Sequence, residues 1–484
     1  MRRFYSLSAT AVLITSLATG VNIQASTAVD LAPSVTSSEN ITTISSDGIT
    51  KIYLDTFRPN TKIYFRLNFN NTTPLILNNS GKPVTVAPAG TLEFPLTSPA
   101  TINVSQLKTP IDEFDNQNGT PLVQIFAAPA NFPVINLSGD TSLIAKKDIL
   151  STPVVADGTY AIDSVGTNIK FFIWSPRNLI GFRKLSDKTP VAGLGGTAAY
   201  AYLEQKDFSV SATSPGYWRL LNSNFAQVST FSTIQTQFGI TYPEGHDITI
   251  APTGNPVVIT TPTRSVDSSW LAKPYNRPVL DCNIAEISNG KAIREFSFWN
   301  WAFANKAVSK ALLDVMPIFD DPMNPVNSPI DICHVNSMEY YKPLNEYVFS
   351  LRSPSILLIV SPDLKTVKQV INADSSLQHF ARFKSATEIT ALGNYPFSKN
   401  SQFLDFTYAN KQWTLKKTQI PVDVGYCGNT SFIDATHIWL AGGCGVFAPD
   451  TLGVIYERTD GVLKQIGQVT MKNFEYSYRG DLIQ

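Results

Sequence analysis

The chain has 484 residues, 43% of them hydrophobic, enough to bury a large core and to divide into two or three domains. Its 38 Lys and Arg balance 38 Asp and Glu, and charged residues make up only 16%. This balance excludes the basic surface that a nucleic acid partner requires and the charge runs of a disordered tail.

In chain order, Met1, Arg2 and Arg3 give a positive start, and Leu7 to Val21 form a mostly apolar run too short to span a bilayer. Residues 1–28 therefore read as an export signal, with Ala25 and Ala28 both open as cleavage points. No later segment carries the roughly 18 continuous apolar residues of a membrane helix, so no membrane span is expected.

A polar stretch to about Ser46 leads into short alternating segments, Lys51 to Asp55 and Lys62 to Phe69, with the period of two that marks strands. Turn clusters at Asn68 to Pro74, Asn78 to Gly81 and Pro95 onward punctuate them. Residues 29–145 are expected to form a separate, sandwich-like all-β domain.

From about residue 146 a unit of strand, polar turn and apolar strand recurs. Copies begin at His246, His334, His379 and Thr430, the last three 45 and 51 residues apart. Fainter copies near Tyr160 and Ala198 bring the count to six, the signature of a six-bladed β-propeller over residues 146–484. The copy at His246 must carry an insert, and the later half of Phe296 to Leu313 is its most helix-like part.

Four cysteines in a chain addressed for export allow two disulfides and three full pairings. Cys427 and Cys444 flank what reads as one hairpin, which favours Cys282 with Cys333. Their spacing is unlike a zinc ribbon.

Three of the four histidines, His246, His334 and His379, open inner strands, the part of a propeller that faces the central channel. Asn336, Arg352 and Thr430 share their phase. An arginine fork with three imidazoles suits a tetrahedral oxyanion such as sulfate or phosphate, or a carboxylate. Each residue alone also has a structural reading, and His437, in the turn Asp434 to His437, has only that one. Trp299, Trp301, Tyr340, Tyr341 and Phe383 are expected to pack between blades. Three imidazoles also match zinc sites, but the adjacent Arg352 would repel the cation.

His334-x-Asn336-Ser337 followed by Ser350-x-Arg352 resembles the His-x-Asn-Ser and Ser-x-Arg pattern of bacterial arylsulfate sulfotransferases. The sequences His246-Asp247 leading to Gly254-Asn255, Gln378-His379, and Glu295 to Trp301 are similar to further segments of that family, the last to its strand before a long insert. The likeness covers residues 210 to 445 best. It implies a periplasmic enzyme that needs no PAPS and moves a sulfuryl group from a phenyl sulfate donor to a phenol acceptor in ping-pong fashion. His379 would form a sulfohistidine, and His246, His334, Asn336 and Arg352 would hold the sulfuryl oxygens. Thr430 would add an oxygen ligand, and Tyr478 would contact the phenol ring. The family implies no metal or cofactor, and a homodimer. This sequence departs from the family at Cys333 and in the turn Lys384 to Glu388. A non-catalytic secreted propeller that binds an anionic ligand or a protein partner is the alternative.

Overall fold

The computed structural model describes residues 41–46, 49–54, 62–67, 75–79, 82–86, 92–95, 100–105, 123–127, 134–155, 158–175, 178–190, 197–205, 216–221, 227–315, 328–374, 377–394, 401–422, 424–425, 427–443, 450–472 and 476–483. The expected signal, Met1 to Ala28, and Cys444 lie outside them. Between Ile41 and Ala127 the described strands form a five-stranded and a three-stranded sheet.

From Val134 onward six further sheets follow one another as blades. Blade 2 runs Leu179–Pro190, Thr197–Gln205, Gly216–Leu221 and Gln227–Phe231 from inside to outside. Blade 3 runs Pro243–Ile250, Pro256–Thr260, Asn283–Ser288 and Lys291–Ser297. Blades 4, 5 and 6 begin with Val335–Tyr341, His379–Ser385 and Asn429–Phe432. In blade 1 the inner strand is Tyr476–Leu482, which pairs antiparallel with Asp148–Val155. Every inner strand touches the inner strands of both neighbours, so the six blades close a ring.

Alternation explains why the ring is stable. Each blade turns one face of its apolar residues toward the next, and six buried clusters result, one between each successive pair of blades. Between blades 4 and 5, for example, Val348, Leu357 and Ile359 meet Ala381, Ile389 and Leu404. Tyr341 stacks on Phe383 with ring centroids 4.7 Å apart, and Tyr340 lies against Tyr347. The all-β, six-bladed expectation holds.

Three boundaries differ from the sequence reading. Val134–Gly139 pairs with Val462–Lys472 as the outermost strand of blade 6, so propeller structure begins before residue 145. The copy near Tyr160 is the third strand of blade 1 and the copy near Ala198 the second strand of blade 2, neither being the first. In the insert the strand stops at Ser297, whose hydroxyl accepts from the Asn300 amide, and Phe298–Ala304 is already helical. The run Phe298 to Trp301 also suits a strand because three of its four residues are aromatic, but an N-cap serine ahead of it starts a helix. A second helix, Lys306–Asp314, follows.

Candidate active site

The insert sets up the first part of the site. Cys282 and Cys333 are bonded, and the short strand Ile330–Asp331 pairs parallel with Val279–Leu280 beside them. Together they fix the approach to His334, which takes a left-handed backbone conformation with φ 45°. Leu377 and Phe380, either side of His379, do the same with φ 48° and 56°. Such conformations are costly for residues with a Cβ and gather where geometry outweighs stability. Cys427 is also disulfide-bonded.

The three histidines come from three successive blades. The rings of His246 and His334 meet edge to face with centroids 4.7 Å apart, and the Tyr478 ring lies 5.9 Å from His246. His379 is buried, within the electrostatic reach of Arg352, His334, Arg479 and His246. Burial, with those neighbours, holds its imidazole well below the usual value. Burial, with Arg479 and Arg352, brings His246 down to about 3, and burial with Arg352 brings His334 to about 4. All three are therefore neutral near pH 7.

Each imidazole is anchored through Nδ1. His246 meets Oε1 of Glu244 at 2.8 Å, His334 meets the carboxylate of Asp331, and His379 meets Oδ1 of Asn394 at 2.6 Å. Burial raises the Glu244 carboxyl well above its ordinary range. Burial would raise Asp331 as well, but His334 and Arg352 beside it bring it down to about 2. Arg352, whose backbone N–H donates to the His334 carbonyl, places its guanidinium 4.0 Å from Asp331.

Asn336 is fully buried, and its side-chain N–H donates to the Gln378 carbonyl at 2.6 Å while its Oδ1 is left without a hydrogen bond. Thr430 opens the inner strand of blade 6; its hydroxyl is buried and has no hydrogen-bond partner. His437 pairs with Asp434 in its exposed turn, as the structural reading expects. Among the described residues no group of three or more His, Cys, Asp and Glu has the arrangement to hold a metal ion.

Arg479 is the largest feature that sequence reasoning missed. From the inner strand of blade 1 its guanidinium donates to the His246 carbonyl at 2.8 Å in blade 3 and to the Asn336 carbonyl in blade 4, directly across the ring. Phe380 lies against both Arg479 and Arg382, with guanidinium carbons 5.0 and 3.8 Å from its ring centre. Arg382 and Arg183 share the fully buried Asp247, the former at 2.9 Å. These groups form a buried charged network that meets the His246 and Asn336 backbones. The signals were present, since Glu244 is two residues before His246, Asp331 three before His334, and Arg479 directly follows Tyr478.

No family model matches the chain, and no curated protein matches it. Solved propellers are similar to it. The periplasmic gluconolactonase PpgL of Pseudomonas aeruginosa shares 9% identity over 66% of this chain and 82% of that one, with a TM-score of 0.37. The β-propeller domain of Cps50 (Swd1) from Myceliophteria thermophila shares 11% over 60% and 88%, with a TM-score of 0.27. An inactive variant of virginiamycin B lyase from Staphylococcus aureus, bound to quinupristin, shares 9% over 70% and 99%, with a TM-score of 0.29. The propeller assignment itself rests on the strand pairing of this chain.

Proposed function

We propose that the protein is an exported arylsulfate sulfotransferase that carries the sulfuryl group on His379. The observation that supports this most is the meeting of three neutral imidazoles, each anchored through Nδ1, two of them buried and His334 partly so, within the electrostatic reach of Arg352. Neutral imidazole is a nucleophile, and fixed donors around it favour a transition state whose charge spreads over three oxygens. Arg352 and the unpaired Thr430 hydroxyl supply donors, and the Tyr478 ring gives the phenol an aromatic wall.

His334 differs from His246 in having an ionised partner. Asp331 holds its Nδ1 proton and stabilises the imidazolium, which makes His334 the base that takes the proton of the incoming phenol. His246, lowered to about 3 and set beside a carboxyl that burial pushes well above its ordinary range, stays neutral and orients the sulfuryl oxygens. The disulfides fit an oxidising compartment, with the periplasm as the family likeness implies.

The test is 4-nitrophenyl sulfate with and without phenol, for the wild type and His379→Ala. Acceptor-dependent release of nitrophenolate that the variant abolishes is the expected result. Release independent of acceptor means a sulfatase. No turnover with any phenol leaves a propeller that only binds an anion.

A further inference from the structure

Sulfuryl transfer through His379 requires one ring nitrogen to carry a free lone pair. Its Nδ1 lies 2.6 Å from Asn394 Oδ1 and 3.2 Å from the Leu377 carbonyl oxygen. A carbonyl only accepts, so Leu377 calls for a proton on Nδ1. The other end of the Asn394 amide settles its orientation. Nδ2 donates to the carbonyls of Gly425 at 2.8 Å and Cys427 at 3.0 Å, and turning the amide over would set its oxygen against both. Asn394 is 1% exposed, so water does not make up for a reversed amide.

We propose that Asn394 is a positioning residue that holds His379 as its Nδ1–H tautomer and so leaves the Nε2 lone pair to attack sulfur. The role rests on the sulfuryl-transfer reading above, whereas the tautomer itself does not depend on it. In the first half-reaction the Nε2 lone pair forms the N–S bond, the S–O bond to the aryl oxygen breaks, and its electron pair departs on the phenolate. The proton stays on Nδ1. The ring becomes a sulfonated imidazolium facing two neutral oxygens. In the second half-reaction the acceptor phenol gives its proton to His334, its oxygen bonds to sulfur, the N–S bond breaks, and the pair returns to Nε2. A neutral amide suits this cycle because it fixes the proton without stabilising the cation so much that imidazole becomes a poor leaving group.

The experiment is NMR of the full chain with ¹⁵N-labelled histidine, reading the tautomer of His379 and using His379→Gln for assignment. The wild type is expected to show Nδ1–H. Asn394→Leu is expected to lose that preference and to lower kcat on the order of 10² to 10⁴-fold at nearly constant KM, the cost of a wrong tautomer in other enzymes. Asn394→Asp is expected to keep Nδ1–H and restore the first-turnover burst while slowing steady turnover. Wild-type His379 protonated at Nε2 overturns the proposal, and so does a folded Asn394→Leu that keeps both Nδ1–H and kcat. If Asn394→Leu does not fold, the wild-type and Asn394→Asp spectra decide. If the wild type turns over no aryl sulfate, the sulfuryl-transfer reading fails while the spectrum still reports whether Asn394 sets the tautomer.

Discussion

Asp331 and Glu244 each face an imidazole Nδ1, and they end in different protonation states. The difference is charge: His334 and Arg352 stand beside Asp331 and oppose burial there, while at Glu244 the charge of Asp331 adds to burial. Asp331→Asn should therefore lower acceptor-dependent kcat on the order of 10² to 10⁴-fold while the protein stays folded, whereas Glu244→Gln should change it far less. Because His334 titrates at about 4, activity that needs it as a base should fall only as pH drops through about 4. Stability follows a different window. His334 and His379 are held below their unfolded value of about 6.5, so below that pH the unfolded chain binds protons that the fold refuses. Burial raises Glu244 and lowers His246, so these two pull stability in opposite directions there. Melting temperature should thus fall on acidification from pH 7 to 4.5, and His379→Gln should flatten the slope. The histidines were legible because three of them recur in phase. Their partners were not, because an acid two or three residues away has no period to announce it.

At the scale of elements, the bridge from Cys282 to Cys333 and the short strands beside it set the position of His334. Reduction should cost about 2–4 kcal/mol of stability and should lower activity beyond what the unfolded fraction explains. Equal activity of folded protein with and without reductant counts against this. Gly442 shows how closely the strand carrying Tyr478 and Arg479 is held. It sits at φ 68°, and a Cβ there would lie 2.7 Å from the Arg479 Cα and the Tyr478 carbonyl. Gly442→Ala should lower the melting temperature and raise KM for the aryl sulfate, because it pushes both side chains out of place. The helix at Phe298 escaped the sequence reading because its buried residues Phe298, Trp299 and Ala302 include two consecutive aromatics that also fit a strand. Only the capping role of Ser297 separates the two.

For the whole molecule, the six-fold repeat could be read from period-two segments and turn spacing. The starts of blades 1 and 2 could not. The inner strand of blade 1 comes from residues 476–482, about as far from Asp148–Val155 in sequence as this ring allows, and no local pattern records such a partner. Asn429 clasps Gly480 through both backbone groups, and Trp439 donates to the same carbonyl at 2.7 Å. Deleting residues 476–484 should expose the Asp148–Val155 edge of blade 1 and lower the melting temperature sharply, which differential scanning calorimetry would register.

The closing strand brings more than an edge to the ring. It carries Arg479, whose guanidinium holds the backbones of His246 and Asn336 from across the channel, and Tyr478, which abuts His246. The candidate site is therefore completed by the same docking event that completes the architecture. A chain halted short of this strand would carry all three histidines without the arginine that ties the His246 backbone to that of Asn336, so under the proposed function unfinished molecules would be inert rather than half-active.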